Sequence, residues 1–212
     1  MRDNLATARV VLGHTRWATQ GACTLDNASP MTVGDLVATH NGDVTAPTRN
    51  GGTDSAWLFT QLDQATTVKA TTSVLTGLRG RAALAWARRS HPDLIFLART
   101  ALSPLATATD RAGGLWWASN PEWLRELNDW HDLELSNPVQ MIEGTLVVLR
   151  SSPIEVTLSA HRRFIATSRA RDERPAHSAA WRGFTIADRR HELDHRNHLV
   201  ENTSMSHTAL SV

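Results

Sequence analysis

A length of 212 residues fits one ordinary domain, or one domain and a tail, and a composition of 41% hydrophobic and 20% charged residues is typical of a globular protein. A net charge of +1 is too balanced to indicate a nucleic-acid-binding protein. No apolar run approaches the roughly 18 residues of a membrane helix, and the N-terminus lacks the pattern of a secretory signal. The one cysteine, Cys23, can form neither an internal disulfide nor a Cys-rich zinc site, so we expect a cytoplasmic protein.

The first predicted elements are two short strands. Residues 8–13 form a compact apolar run, which predicts a buried strand. Residues 36–40 predict a second strand that ends in the turn-prone sequence Asn41-Gly42-Asp43.

Two helices are predicted next. Thr53 or Asp54 can cap the first, and a second is predicted over residues 70–78. The first helix has an apolar face at helical spacing, formed by Trp57, Leu58, Phe59 and Leu62.

The second half of the chain is dominated by short apolar runs that predict strands. These runs are residues 82–87, 94–98, 115–118, 145–149 and 154–158. The sequence His91-Pro92-Asp93 predicts the turn between the first two, and Ser151-Ser152-Pro153 predicts the turn of a closing hairpin. A short helix is predicted from Pro121 to Leu127.

Residues 161–212 differ in composition from the rest. They hold six of the ten histidines and nine of the 21 arginines, with few large apolar residues. We therefore predict a folded domain over residues 1–160 and a disordered Arg/His-rich tail over residues 161–212.

Three polar segments follow predicted strands or precede a helix, and each has a simple structural explanation when taken alone. Arg16 can hold a carboxylate through two parallel hydrogen bonds, or it can be a surface arginine at a strand end. Asn41 and Gly42 can offer an amide and a backbone N–H to an oxyanion, or they can form a β-turn. Asp54 can present a carboxylate to a ligand, or it can serve as a helix cap.

Together, and in this order, the segments resemble a known family. The run Gly13-His14-Thr15-Arg16-Trp17-Ala18-Thr19-Gln20-Gly21 is followed by Asn27-Ala28-Ser29-Pro30, then His40-Asn41-Gly42, then Thr53-Asp54-Ser55. This pattern resembles the class II glutamine amidotransferases, most closely the glutaminase domain of glucosamine-6-phosphate synthases. The resemblance implies an α+β fold of the N-terminal-nucleophile hydrolase type, an αββα sandwich of two antiparallel sheets that is here N-terminally incomplete.

The resemblance also implies the roles of the site residues. Arg16 would grip the α-carboxylate of glutamine, and Asp54 would hold its α-ammonium. Asn41 and Gly42 would form the oxyanion hole, and Trp17 and Thr19 would line the pocket. The implied partners are glutamine and an unidentified ammonia acceptor or synthase partner, and no cofactor or metal is expected.

This sequence departs from the family at the nucleophile. Class II enzymes attack glutamine with an N-terminal cysteine to give a thioester and ammonia, whereas this chain begins Met1-Arg2-Asp3 and Cys23 follows the Arg-Trp motif. We expect the chain as written to be inactive, with the full-length form releasing ammonia. The alternative is a glutamine-binding pseudoenzyme or regulatory module.

A remote alternative comes from the tail. His191-Glu192-Leu193-Asp194-His195 matches the H-E-x-x-H pattern, which on a helix brings two histidines to one face for zinc, with Glu192 as general base. Charged neighbours such as Arg190 and Arg196 are unlike the buried apolar helix of a zinc hydrolase. An accidental match is therefore the favoured interpretation.

Overall fold

The computed structural model describes residues 8–15, 24–47, 52–152 and 155–167. In these ranges the chain forms three α-helices and nine strands, besides a short 3-10 turn over Leu25–Asn27. In chain order they are β1 (Met31–Val33), β2 (Leu36–Val44), α1 (Asp54–Gln64), α2 (Val68–Gly77), β3 (Gly80–Arg88), β4 (His91–Arg99), β5 (Ala106–Thr109), β6 (Leu115–Ala118), α3 (Pro121–His131), β7 (Val139–Gln140), β8 (Thr145–Ser151) and β9 (Val156–Arg163).

The strands form two antiparallel sheets. The larger has the order β1-β2-β3-β4-β8-β9, and the smaller has the order β6-β5-β7. Every strand pair is antiparallel. The sheet class predicted from the sequence is confirmed.

Three apolar clusters lie between four layers of secondary structure. The largest cluster joins one face of the six-stranded sheet to α1 and α2, through residues such as Leu58, Leu75 and Leu84. On the opposite face, Ala83 and Leu97 pack with Leu105 and with side chains of the small sheet. A third cluster packs the small sheet against Leu124 of α3. The order of layers is therefore helices, large sheet, small sheet and helix, which is the predicted αββα sandwich.

The first helix forms as its sequence predicts. The Thr53 hydroxyl accepts a hydrogen bond from the Ala56 N–H at 3.1 Å and so caps α1. Three of the four residues of the predicted apolar face are fully buried: Leu58, Phe59 and Leu62. The second helix, α2, begins two residues before the predicted start and ends one before the predicted end.

The prediction of a buried strand over residues 8–13 is wrong. No strand is formed there, and Val11 is 54% exposed. Val10 and Leu12 are half-buried against the cluster between the sheets. Alternate side chains of the apolar run therefore pack against the core, but the backbone of the run does not pair with a described strand.

The predicted turn at Asn41-Gly42-Asp43 is also wrong, because these residues continue β2 to Val44 in unbroken register with β3. The β3–β4 turn lies at Arg89–Ser90, so His91-Pro92-Asp93 belongs to the start of β4.

Three strands were not predicted from the sequence. They are β1, β5 and β7, with three, four and two residues. Segments this short carry too few residues for an alternating pattern to be recognised. The other predicted strands and the helix from Pro121 are present. Of the predicted closing hairpin, Ser151 belongs to β8, residues 153 and 154 lie outside the described residues, and β9 begins at Val156.

The six-stranded sheet includes residues at the start of the Arg/His-rich segment. β9 continues to Arg163, the Phe164 N–H donates to the Gly144 carbonyl, and Thr167 bridges Arg79. Among the described helices, none has the length and apolar character required to span a bilayer.

Candidate functional site

The predicted site residues fall into two groups. Asn41, Gly42 and Asp54 belong to the described part of the chain, on β2 and at the start of α1. Arg16, Trp17 and Thr19 lie outside the described residues, and so do Cys23 and the motif from His191 to His195. The geometry of the site is therefore built from β2 and α1.

Among the residues that the structure describes, only part of the outer edge of β2 is paired with another strand. β1 pairs with β2 over Leu36–Ala38 and no further, whereas β3 pairs with β2 along its whole length. The Thr45 N–H donates to the Arg79 carbonyl of the chain entering β3, at 2.7 Å. Because ladder bonds alternate along an antiparallel strand, the N–H groups of Gly42 and Val44 must face away from β3. Both point to the edge that β1 leaves open.

Gly42 has a conformation that other residues rarely adopt. Its φ is +149°, and a Cβ atom at this position would lie 2.1 Å from the Arg81 carbonyl oxygen of β3. Glycine is required here because the two backbones approach so closely. The close approach to β3 therefore requires glycine at position 42 more strictly than the predicted turn would.

The Asp54 carboxylate closes part of the open edge. The Val44 N–H donates to Asp54 Oδ2 at 2.9 Å, and the Ser55 N–H donates to Asp54 Oδ1 at 2.9 Å. Asp54 is 6% exposed and lies in the first turn of α1, where the helix dipole favours a negative charge. Asp54 therefore joins the start of α1 to β2, two residues along the same edge from the Gly42 N–H.

Asn41 is half-buried, and its side chain belongs to the other face of β2. Side chains alternate along a strand, and Leu36, Ala38 and Val44 all join the cluster that faces α1. Asn41 therefore faces the small sheet. The structure brings the Gly42 N–H and the Asp54 carboxylate to one edge of β2. The Asn41 side chain, although next to Gly42 in sequence, lies on the face of β2 that is turned to the small sheet.

His40 and Ser55 belong to the site although sequence reasoning assigns them no role. His40 is 5% exposed, and its Nδ1 atom is hydrogen-bonded to Ser55 Oγ at 2.9 Å. Burial lowers the pKa of His40 below its ordinary value, although the carboxylate of Asp54 acts in the opposite direction. The position of His40 directly before Asn41-Gly42 was the one signal in the sequence that could have suggested this contact.

A cavity of about 510 Å³ lies near the opposite end of β2, and none of the three described site residues, Asn41, Gly42 and Asp54, lines it. Its lining residues are Arg9, Val10, Leu12, Pro30, Val37, Ala87, Arg88, Arg89, Pro92 and Asp93. Within it, the Arg88 guanidinium already donates to carbonyl groups at the end of α1, including that of Leu62 at 2.8 Å. Within the described ranges, no group of three His, Cys, Asp or Glu residues is arranged to hold a metal ion.

Comparisons of sequence identify two related proteins. The chain is 33% identical over 114 aligned positions to a glutamine–fructose-6-phosphate aminotransferase (isomerizing) of Zymomonas mobilis, which covers 46% of this chain and 19% of that protein. It is 48% identical over 42 positions to the same kind of enzyme from Caulobacter vibrioides, covering 20% of this chain and 7% of that protein. The chain thus spans less than a fifth of the length of these relatives. No model of a known protein family matches.

Comparisons of structure lead to the same class of fold. A glutamine phosphoribosylpyrophosphate amidotransferase from B. subtilis, solved with ADP and GMP, matches with a TM-score of 0.50 at 15% identity. An allosteric regulatory enzyme of purine biosynthesis matches with a TM-score of 0.51 at 17% identity. Each match covers 71% of this chain and 34% of the other chain.

The two kinds of comparison are independent and agree. The sequence matches are to glutamine-using aminotransferases, which include the glucosamine-6-phosphate synthases, and the fold matches are to amidotransferases with the N-terminal-nucleophile hydrolase fold. The described part of this chain has the fold of the N-terminal-nucleophile amidotransferases, and the chain contains a glutamine amidotransferase-like domain.

Proposed function

We propose that the chain binds glutamine at the open edge of β2. In this proposal Arg16 holds the α-carboxylate and Asp54 holds the α-ammonium, because a zwitterion needs one fixed cation and one fixed anion. The side-chain carbonyl of glutamine is directed to the Gly42 N–H, and the Asn41 amide approaches it from the face of β2 that is turned to the small sheet. Trp17 and Thr19 line the pocket.

The observation that carries the proposal is the bond from the Val44 N–H to Asp54 Oδ2. It fixes the carboxylate at the same edge as the Gly42 N–H, and two residues of an extended strand separate the two N–H groups by about 7 Å. A span of this size suits a ligand with an ammonium at one end and a carbonyl at the other, as glutamine has.

Asp54 keeps the capacity to bind an ammonium while it holds two backbone N–H groups. An ionised carboxylate offers about four lone-pair sites, and two of them are used by Val44 and Ser55. The remaining sites can accept hydrogen bonds from an ammonium, and these bonds are charge-assisted.

The Gly42 N–H supplies the chemical step with a donor that is already oriented. When a thiolate attacks the glutamine carboxamide, the carbonyl oxygen becomes an oxyanion that such a donor stabilises. The amide nitrogen then leaves as ammonia, the acyl group stays on sulfur as a thioester, and water releases glutamate. The ammonia passes to an acceptor or synthase partner.

A second candidate function follows from the cysteine count. Cys23 is the only thiol in the 212 residues, and it follows the Arg-Trp motif rather than occupying the family's nucleophile position. The same site would then serve a binding or regulatory module that recognises glutamine and does not cleave it.

Glutamine titration of the 212-residue chain by calorimetry tests the proposal. We expect Arg16→Ala to weaken binding by about 1.5–3 kcal/mol, because it removes a charge-assisted contact, and Asp54→Asn to weaken it in the same direction. Arg125→Ala and Asp129→Asn on α3 are the matched controls, since they remove the same kinds of charge from a distant layer. Unchanged affinity in both site variants, or no binding by the wild-type chain, would show that the proposed site is wrong.

An ammonia assay separates the two candidates. We expect no ammonia release from glutamine by the 212-residue chain. Release above background that disappears in Cys23→Ser would instead show that this chain is itself a glutaminase.

A further inference from the structure

A chain of polar contacts connects β2 to α1 beside the proposed glutamine site. His40 Nδ1 is hydrogen-bonded to Ser55 Oγ at 2.9 Å, and the next residue along α1 toward its N-terminus is Asp54. Asp54 in turn accepts the N–H of Val44, four residues beyond His40 on β2. Two residues of the strand and two of the helix therefore form a closed circuit of contacts.

The His40 end of this circuit is the buried one. His40 is 5% exposed, and its Nε2 atom has no hydrogen-bond partner among the described residues. The bond to Ser55 is the hydrogen bond that joins this ring to α1, and the Arg81 backbone of β3 also interacts with the ring. A buried ring nitrogen in such a bond holds its partner tightly, because breaking the bond leaves a desolvated nitrogen.

Gly42 lies between His40 and Val44 on β2, inside the circuit. The distance from its N–H to the Asp54 carboxylate depends on how the first turn of α1 sits against the strand. That turn is held by the Val44–Asp54 bond at one point and by the His40–Ser55 bond at another. Removing one of the two points leaves the turn free to pivot about the other.

We propose that His40 is a positioning residue for glutamine. Through Ser55 it fixes the first turn of α1 against the open edge of β2, and so sets the spacing between the Asp54 carboxylate and the Gly42 N–H. This inference rests on the proposed function, since it assigns these two groups to the two ends of one ligand. His40 itself touches neither end.

The test compares Ser55→Ala with Thr60→Ala in the 212-residue chain. Both variants remove one hydroxyl from α1, but within the described part of the chain the hydrogen bond of Thr60 Oγ1 goes to the Ala56 carbonyl of its own helix. Two quantities are measured: hydrogen exchange of the Val44 N–H by NMR, and glutamine affinity by calorimetry. We expect Ser55→Ala to accelerate the exchange and weaken the affinity by about three- to tenfold each, the effect of one hydrogen bond. Thr60→Ala should change neither.

Two variants of His40 add a readout that loss of packing would not produce. An asparagine amide reaches the position of Nδ1, whereas a glutamine amide reaches the position of Nε2. We expect His40→Asn to keep Val44 protection and glutamine affinity near the wild-type values, and His40→Gln to lose both. Equal behaviour of the two variants would overturn the inference.

The outcomes also separate this inference from the proposed function. If the wild-type chain binds glutamine and Ser55→Ala behaves as Thr60→Ala does, only the positioning role is overturned. If the wild-type chain binds no glutamine, the proposed function fails and the positioning role in recognition fails with it, even where Val44 exchange responds to Ser55→Ala.

Discussion

The two halves of β2 differ in what covers their outer edge. Over Leu36–Ala38 the strand is paired on both sides, to β1 and β3, and its helix-facing side chains are fully buried. From His40 to Val44 the pairing with β3 continues, but β1 is absent from the outer edge. The first half has apolar side chains on its helix-facing side and N–H groups that are bonded to β1. The second half has His40 and Gly42 on that side, and its Val44 N–H is bonded to Asp54 instead of to a strand.

The difference shows how one strand can serve stability and recognition at once. The continuous register with β3 keeps the backbone of the second half extended, so its outward N–H groups are fixed in direction although no described strand pairs with them. Such groups are available to a carboxylate of the protein, as at Val44, or to a ligand, as proposed at Gly42. The first half and β3 supply the rigidity that this arrangement needs.

The largest effect is expected from Gly42→Ala in the second half. The added Cβ would lie 2.1 Å from the Arg81 carbonyl oxygen, and the φ of +149° is strained for alanine. Overpacking and backbone strain each cost about 1–3 kcal/mol, so a loss of about 2–6 kcal/mol in unfolding free energy is expected. Chemical denaturation measures this loss.

Gly77→Ala is the matched control for that substitution. A Cβ atom at this helix terminus meets nothing within 4 Å. The control should leave the unfolding free energy equal or slightly higher, because alanine favours a helix. If Gly42→Ala is as stable as Gly77→Ala, the close approach of β2 to β3 does not constrain the second half.

A comparable effect is expected from Leu36→Ala in the first half, for a different reason. Leu36 is 0% exposed in the cluster beneath α1, so truncation leaves a cavity and costs about 2–5 kcal/mol. Leu25→Ala, at a side chain that is 92% exposed, should cost nothing measurable. Leu36→Ala should lower stability while sparing glutamine affinity at temperatures where the chain stays folded, and reduced affinity there would contradict the separation of the two halves.

The sequence predicted the first half of β2 well and the second half poorly. The apolar residues at the start of the strand and the apolar face of α1 carry the periodicity of burial, which is a local property. The continuation through Asn41-Gly42-Asp43 is set by pairing with β3, and this pairing joins residues some 40 positions apart. A dipeptide that favours turns cannot reveal such a partner.

The site was predicted through the order of its motifs rather than through any single residue. Asp54 reads locally as a helix cap, and Thr53 in fact provides the cap through its hydroxyl. The bond from Val44 to Asp54, and the contact between His40 and Ser55, depend on how α1 docks on the sheet. Local propensity and periodicity do not predict how a helix docks on a sheet. Only the family resemblance indicated that Asp54 belongs to the site.

A smaller effect that depends on pH is expected from His40. Burial lowers its pKa in the folded chain; the carboxylates of Asp54 and Asp43 and a hydrogen bond to the Arg81 backbone oppose this shift, and the charge of Arg81 adds to it. The unfolded chain therefore binds the proton more readily, so stability falls as the pH drops from about 6.5, the ordinary value for histidine, toward the folded-state pKa. Thermal unfolding of the wild-type chain and His40→Asn between pH 7 and pH 5 measures the difference.

His40→Asn cannot take up this proton, so its melting temperature should fall less over the same range. The acidic groups that do not interact with His40 are common to both proteins and cancel in the comparison. Parallel curves for the two proteins would show that His40 does not titrate differently in the folded and unfolded chains.

The smallest effect is expected from Thr53→Ala, and it is the one that best separates the site from the scaffold. Thr53 caps α1 and Thr67 caps α2 by the same bond, each hydroxyl accepting an N–H three residues on at 3.1 Å. Losing either cap should cost about 1 kcal/mol of unfolding free energy. Only the first turn of α1 carries Asp54 and Ser55, so only Thr53→Ala should also accelerate hydrogen exchange of the Val44 N–H and weaken glutamine binding. If Thr67→Ala weakens glutamine binding to the same degree, the affinity follows the stability of the whole domain. The contacts between the second half of β2 and the first turn of α1 would then have no specific effect on binding.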